Sequence, residues 1–299
     1  MPVSSSSASS SGASASISEP KELVFTLHGR RLTAKQWGNP DGPATLALHG
    51  WLDNANSFDV LAPMLPDLNL VALDFAGHGH SDHRPTGINY LGILDVQDAI
   101  GVANQLGWDR FNILGHSMGA EVGGNLIGMF PERVPCFVGI DGFTEGCTEA
   151  RVWEALRNSI EQNLTKTSHP PKVFATRDAM AARVAEATGQ SLASAALLVA
   201  RGSCATEGGF RWQSDARVRW GDTLRVSSEQ LDGIITRYAG RILIIAAADG
   251  AKWYRETIAS RSTRFANLQV QEVPGNHHLH MDDETAVRVA ELIRGFLAS

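Results

Sequence analysis

The sequence has few cysteines and no long apolar run, and each of these features argues against a class of protein. Three cysteines occur in 299 residues, and none of them forms a CxxC pair. Neither a disulfide framework nor a cysteine-rich zinc module is therefore expected, and reduced thiols favour a cytoplasmic location. No apolar run reaches the roughly 18 residues that a membrane-spanning helix needs, so no membrane span is predicted.

An excess of positive charge is also missing. The chain carries 26 Lys and Arg against 32 Asp and Glu, a formal net charge of −6. Proteins that bind nucleic acid use clusters of Lys and Arg to neutralise phosphates, so nucleic acid is not expected as a partner. Residues 1–20 are rich in Ser and Ala and lack the basic start and apolar centre of a secretory signal, so they are predicted to form a disordered tail.

Short apolar runs that alternate with helical patterns make up most of the chain. The runs end in turn residues, and they read ATLALHG, LNLVALDFAG, FNILGHS, CFVGIDG, RILIIAAADG and LQVQEVPG. Apolar residues recur at helical spacing over 90–106, 118–130 and 284–297. This alternation predicts an α/β fold with a mostly parallel sheet flanked by helices, preceded by a β-hairpin in ELVFTLHGRRLTAKQWG.

The alternation breaks between about Phe143 and Tyr238, where helical stretches follow one another without a clear strand. The last two predicted strands must still return to the main sheet. The segment 144–237 is therefore expected to be a mostly helical cap inserted between two strands, with a core of residues 21–143 and 238–299.

The segment NILGHSMGAEVGG places a strand, a GxSxG turn and a helix in succession. That order is typical of a nucleophile elbow, in which a strained turn exposes a serine hydroxyl at the carboxyl edge of a sheet. Ser117 is the predicted nucleophile.

A serine hydroxyl needs a base, and the base in turn needs an acid, in the chain order Ser, acid, His. His277 is the predicted base because it closely follows the turn at Gly275, and His278 is the alternative. Asp249 is the predicted acid because it ends the apolar run RILIIAAAD, and Asp141 after the preceding strand is its rival.

Acyl transfer also requires donors for the oxyanion of the tetrahedral intermediate. The backbone N–H of Met118 follows the nucleophile, and the N–H of Trp51 lies in the loop after the first parallel strand, so these two are the predicted oxyanion donors. The substrate pocket is expected to be lined by His49, Gly50, His116, Trp153 and Trp212.

The ordered set HGW, DFAGHGHSD, GHSMG, a late Asp and GNHHLHM resembles the α/β-hydrolase superfamily over nearly all of residues 22–299. HGWLDNANSF, GGFRWQSDARVRW and GNHHLHM are most similar to the serine hydrolase-like esterases. Two departures are Asn276, where many relatives have Gly, and Gly250, where many have Pro.

The resemblance implies a carboxylesterase-like serine hydrolase that acts through an acyl-enzyme, with Ser117, Asp249 and His277 as its triad. An ester of a small or medium apolar acid is the expected substrate, no cofactor or metal is implied, and a monomer or homodimer is expected. Cleavage of a C–C bond by the same triad and a non-catalytic ligand-binding protein are the alternatives.

The segment HGHSDH at 78–83 has the HxHxDH spacing of a two-metal hydrolase loop. A binuclear metallohydrolase would also need ligands from distant loops and a metal-bound water in place of the serine. The resemblance assigns the segment otherwise, since Asp74, Gly77, Gly79 and Ser81 match the DxxGxGxS loop of α/β-hydrolases.

Overall fold

The computed structural model describes residues 19–144, 149–165, 172–220, 227–262, 265 and 267–298. The predicted N-terminal tail therefore lies outside the described residues except for its last two positions. None of the helices in these ranges combines the length and the apolar character needed to cross a membrane.

Ten strands occur in the described ranges, eight of them in one sheet. The strands are β1 (Lys21–Leu27), β2 (Arg30–Gly38), β3 (Ala44–Leu48), β4 (Asn69–Leu73), β5 (Asn112–His116), β6 (Cys136–Ile140), β7 (Ser203–Thr206), β8 (Gly209–Trp212), β9 (Arg241–Ala247) and β10 (Leu268–Val273). The large sheet has the order β1-β2-β4-β3-β5-β6-β9-β10. The pairs β1–β2 and β2–β4 are antiparallel and the others are parallel. The predicted hairpin and mostly parallel sheet are confirmed.

Eight α-helices accompany these strands in the described part of the chain. They are α1 (Gly92–Gln105), α2 (Met118–Met129), α3 (Glu149–Thr165), α4 (Arg177–Thr188), α5 (Leu192–Gly202), α6 (Ser228–Ile235), α7 (Lys252–Ser262) and α8 (Asp283–Ala298). An apolar core lies on each face of the large sheet. Because strand side chains alternate between the two faces, Ile113 packs in one core and Leu114 in the other. One core also contains residues of α1 and α2, and the other contains residues of α8.

The segment between β6 and β9 carries α3 to α6 and the two-stranded hairpin of β7 and β8. Its own small apolar cluster consists of Met180, Ala181, Ala195 and Val199, with Trp212 packed against it. The hairpin was not predicted, because strands of four residues are too short to show an alternating pattern.

Arg201 of α5 joins this inserted segment to the sheet. Its guanidinium donates to both carboxylate oxygens of the buried Asp74, with Nε 2.8 Å from Oδ2, and also to Glu22 of β1. The inserted segment, the end of β4 and the first strand therefore share one ion-pair network, which is buried at Asp74 and half-exposed at Glu22.

Candidate active site

Ser117 occupies the sharp turn between β5 and α2. Its backbone is strained, with φ 50° and ψ −118°, and its side chain is partly exposed. The serine N–H donates to the carbonyl of Ile140 at 3.1 Å, and its own carbonyl accepts from Ala120 at the start of α2. A non-glycine residue held at positive φ typically costs about 1–3 kcal/mol, and such strain concentrates at functional sites.

The start of α2 packs directly on the end of β3. A Cβ atom on Gly119 would lie 2.0 Å from the carbonyl oxygen of Leu48, so only glycine fits there. This contact brings the turn after β3, which carries Trp51, next to Met118, the first residue of α2. The first N–H groups of a helix have no partner within that helix, so the N–H of Met118 remains a candidate oxyanion donor.

His277 lies at the same edge of the sheet and is paired with a carboxylate. Its Nδ1–H donates to Oδ2 of Asp141 at 2.5 Å. The His277 side chain is 40% exposed, whereas that of Asp141 is 1% exposed. The imidazole is thus oriented from one side by a buried acid and open on the other.

The structure corrects the choice of acid, because Asp141 and not Asp249 contacts the imidazole. Asp141 sits at positive φ directly after β6, and its Oδ1 accepts from the backbone N–H of Ala247 at 2.9 Å. Asp249 is exposed, and its backbone N–H donates to the carbonyl of Gly275. Both aspartates follow neighbouring strands, and the bend at Asp141 turns its carboxylate toward His277.

Two of the expected pocket residues, His49 and His116, are buried below the surface. His49 donates from Nδ1 to the carbonyl of Gly50 and accepts from the N–H of Phe75, so it supports the turn. Burial lowers the pKa of His49, and burial together with neighbouring imidazoles lowers the pKa of His116 to about 4. Both rings are therefore neutral at pH 7 and act as supports of the site.

The two predicted pocket tryptophans both belong to the inserted segment. Trp153 on α3 is 73% exposed, and Trp212 packs against the apolar cluster of the inserted segment. A third tryptophan, Trp51, lies in the turn after β3. Its indole is half-exposed, and its Nε1–H donates to the carbonyl of Val218 at 2.9 Å. Helical periodicity could not fix how the inserted helices lie on the sheet.

The histidines of the HGHSDH segment have separate partners. His78 donates from Nδ1 to the carbonyl of Ala76, and His83 donates from Nε2 to that of Gln213. The glycine-rich loop wraps Asp74, since the N–H of His80 donates to its carboxylate. These contacts explain the segment as a structural loop around a buried acid.

A second group of histidines, drawn from two distant parts of the sequence, lies behind Ser117. His116, His278 and His280 are buried together, with the His116 ring 5.1 Å from that of His278 and 4.3 Å from that of His280. Asp53 joins them, because its Oδ1 lies 3.6 Å from Nε2 of His278. The group combines the loop after β3, the end of β5 and the loop before α8, so no local spacing could reveal it.

Known proteins share both the sequence and the fold. A sequence model of the alpha/beta hydrolase fold family matches residues 43–284. The chain is similar to the human serine hydrolase-like protein 2, at 33% identity over 92% of this chain and 93% of that protein. It is also similar to the zebrafish (Danio rerio) serine hydrolase-like protein, at 31% identity over 89% and 85% of the two chains.

Among solved structures, a hypothetical protein of Pseudomonas aeruginosa PAO1 aligns at a TM-score of 0.88. That chain is 35% identical, and the match covers 93% of this chain and 98% of the other. The strained serine, the strand order and these matches agree, and the chain belongs to the alpha/beta hydrolase fold family.

Proposed function

We propose that the protein is a serine hydrolase that cleaves a carboxylic ester through an acyl-enzyme. The observation that carries the proposal is the strained turn at Ser117 beside the hydrogen-bonded pair of His277 and Asp141. A partly exposed serine, an imidazole and a buried carboxylate at one sheet edge are the groups that acyl transfer needs.

In this proposal each residue has one task. Because the carboxylate of Asp141 can only accept, Nδ1 of His277 carries the hydrogen, which leaves Nε2 with a lone pair to take the proton of Ser117. Asp141 then stabilises the imidazolium, and the N–H groups of Met118 and Trp51 stabilise the oxyanion. Water releases the acid in the second half-reaction.

The proposed substrate is an ester of a small or medium apolar acid. Trp51 supports this class, because its half-exposed indole presents an apolar surface next to the proposed oxyanion turn. We place the enzyme in the cytoplasm, since Cys136 and Cys204 are free thiols.

Labelling with a fluorophosphonate probe tests the nucleophile. The wild-type chain is expected to carry one label, mapped by mass spectrometry to the peptide that contains Ser117, and Ser117→Ala is expected to carry none. A label on another serine, or none on a folded wild-type chain, would contradict the proposal.

Turnover of a panel of p-nitrophenyl esters of increasing acyl length tests the reaction. Ser117→Ala and His277→Gln should lower kcat by about 10⁴ to 10⁶, whereas His83→Gln, a change at an exposed histidine, should leave it unaltered. Labelling without steady-state ester turnover would favour a ligand-binding protein or a C–C bond hydrolase. Activity that chelators abolish and fluorophosphonate spares would favour a metallohydrolase.

A further inference from the structure

Within the described ranges, one group of side chains has the composition and spacing of a metal site. It consists of Asp53, His116 and His278, which are all buried and offer ligand atoms within 4.8 Å of one another. None of the three belongs to the HGHSDH segment or to the proposed catalytic pair.

Two unpaired acceptors face each other in this group. Nε2–H of His116 donates to the carbonyl of His277 at 2.9 Å, so in the neutral ring Nδ1 carries a lone pair. That Nδ1 lies 3.4 Å from Oδ2 of Asp53, and neither atom has a hydrogen-bond partner. A cation between the two atoms would satisfy both.

The distances fit a small transition-metal ion. Zn²⁺ binds nitrogen and oxygen at about 2.0–2.1 Å, which separates tetrahedral ligand atoms by about 3.4 Å. Nδ1 of His116 lies 3.4 Å from Oδ2 of Asp53, and Nε2 of His278 lies 3.6 Å from the other carboxylate oxygen, Oδ1. Gly50 leaves room beside the group, because a Cβ there would lie 2.8 Å from Nδ1 of His116 and 2.9 Å from Oδ2 of Asp53.

We propose that Asp53, His116 and His278 bind one divalent transition-metal ion of the Zn²⁺ class, and that the bound ion inhibits hydrolysis. Two imidazoles and one carboxylate form a ligand set that Zn²⁺ accepts readily, with water as a fourth ligand. The remaining carboxylate oxygen of Asp53 can stay near His278.

The inhibitory effect rests on the proposed function. The ligands adjoin the catalytic residues in the chain, since His116 precedes Ser117 and His278 follows His277. The ring of His277 lies 4.7 Å from that of His116 and 5.3 Å from that of His278. A divalent cation held by His116 and His278 disfavours the positive charge that His277 acquires in the proposed reaction, so occupancy lowers kcat.

Metal binding is tested on the full chain after treatment with EDTA and removal of the chelator. Equilibrium dialysis against Zn²⁺ followed by metal analysis should find one ion per chain, and Co²⁺ should give the visible bands of a tetrahedral site. His278→Gln and Asp53→Asn should each weaken binding by at least about 100-fold, whereas His83→Gln should bind as wild type does.

Circular dichroism would show whether each ligand variant folds. If one does not, the other variant and the wild-type Co²⁺ spectrum still test the proposed metal site. A wild-type chain that retains no ion, or variants that bind Zn²⁺ as tightly as His83→Gln does, would overturn the site. The first outcome would indicate that a proton on His278 balances the charge of Asp53 instead.

A separate measurement keeps this proposal apart from the proposed function. Ser117→Ala should abolish ester turnover but bind Zn²⁺ like the wild type, so the site can stand even if the reaction is different. In the active wild-type enzyme, Zn²⁺ should lower kcat with little change in KM, and EDTA should restore it. Stoichiometric binding without any loss of turnover would overturn the inhibitory role alone.

Discussion

Two neighbouring histidines, His277 and His278, lie in opposite environments. Each faces its own aspartate: His277 pairs with Asp141, and His278 faces Asp53. The His277 side chain is 40% exposed and the His278 side chain is 8% exposed. The two pairs have the same chemical groups and differ in their access to solvent.

The difference indicates that access to solvent, more than residue type, distinguishes the proposed catalytic pair from the buried pair. His277 has one ring nitrogen on the acid and the other side of the ring open, so it can exchange a proton with a substrate. At His278 burial opposes the charged ring, yet the nearby Asp53 outweighs it and the pKa is raised. The pair of His278 and Asp53 is enclosed by the protein and has no route to a substrate.

The largest expected effect is on the solvent-accessible pair of His277 and Asp141. Asp141→Asn should lower kcat/KM by about 10⁴, because an amide can hold His277 in the wrong tautomer and cannot stabilise its charged form. Asp249→Asn is the matched control and should change kcat/KM by less than about threefold. Ester hydrolysis by the two purified variants measures this, and the reverse ranking would return the acid to Asp249.

The next largest effect is on stability and concerns the buried pair of His278 and Asp53. Asp53→Ala should lower the free energy of unfolding by about 3–5 kcal/mol, because it leaves a buried charged or polar histidine without its carboxylate. Asp249→Ala, at an exposed position, should stay within about 0.5 kcal/mol of wild type. Urea unfolding at pH 7 in EDTA compares them, and equal stabilities would show that Asp53 is not the partner that stabilises His278.

The buried imidazole of His78 should make the free energy of unfolding depend on pH. Burial, with a contribution from His49, lowers the pKa of His78 from 6.5 to about 3. The unfolded chain therefore takes up this proton at higher pH than the folded chain does. As pH falls from about 6.5 toward 3, the free energy of unfolding should fall by up to about 1.4 kcal/mol per pH unit for this ring.

Urea unfolding of wild type and His78→Leu at pH 7, 6 and 5 measures that slope. The variant should show a shallower loss of stability on acidification, since it lacks one group that must be protonated on unfolding. Parallel slopes would mean that His78 is protonated equally in both states.

The smallest expected effect concerns the position of the Asp141 carboxylate. A Cβ atom on Gly250 would lie 3.0 Å from both carboxylate oxygens of Asp141. Gly250→Ala should therefore shift the acid by a few tenths of an ångström and lower kcat by about threefold to tenfold, with KM unchanged. Gly233→Ala, where no neighbouring atom lies within 4 Å, is the control. An unchanged kcat would show that the acid tolerates displacement.

The fold could be predicted from the sequence because strong local patterns agree with the tertiary structure. Helical spacing over 118–130 and 284–297 corresponds to α2 and α8 within about one residue at each end. The GxSxG motif likewise predicts the sharp turn at Ser117, because it lies between a strand pattern and a helix pattern. Such local signals do not depend on distant parts of the chain.

The acid and the buried histidines could not be predicted in this way. Asp141 and Asp249 both follow apolar strands, and the choice between them depends on a backbone bend and on which loop passes His277. Asp53, His116 and His278 share no common spacing along the chain, because the loop after β3, the end of β5 and the loop before α8 bring them together. Such groups are defined by packing between loops, which a single sequence does not encode locally.

Arg201 has a consequence for how substrates reach Ser117. To lift the inserted segment, the guanidinium would have to leave two carboxylates, and Asp74 would remain as a desolvated anion without its counter-charge. We therefore expect this attachment to hold through each turnover. Substrates would then reach Ser117 without any displacement of α5.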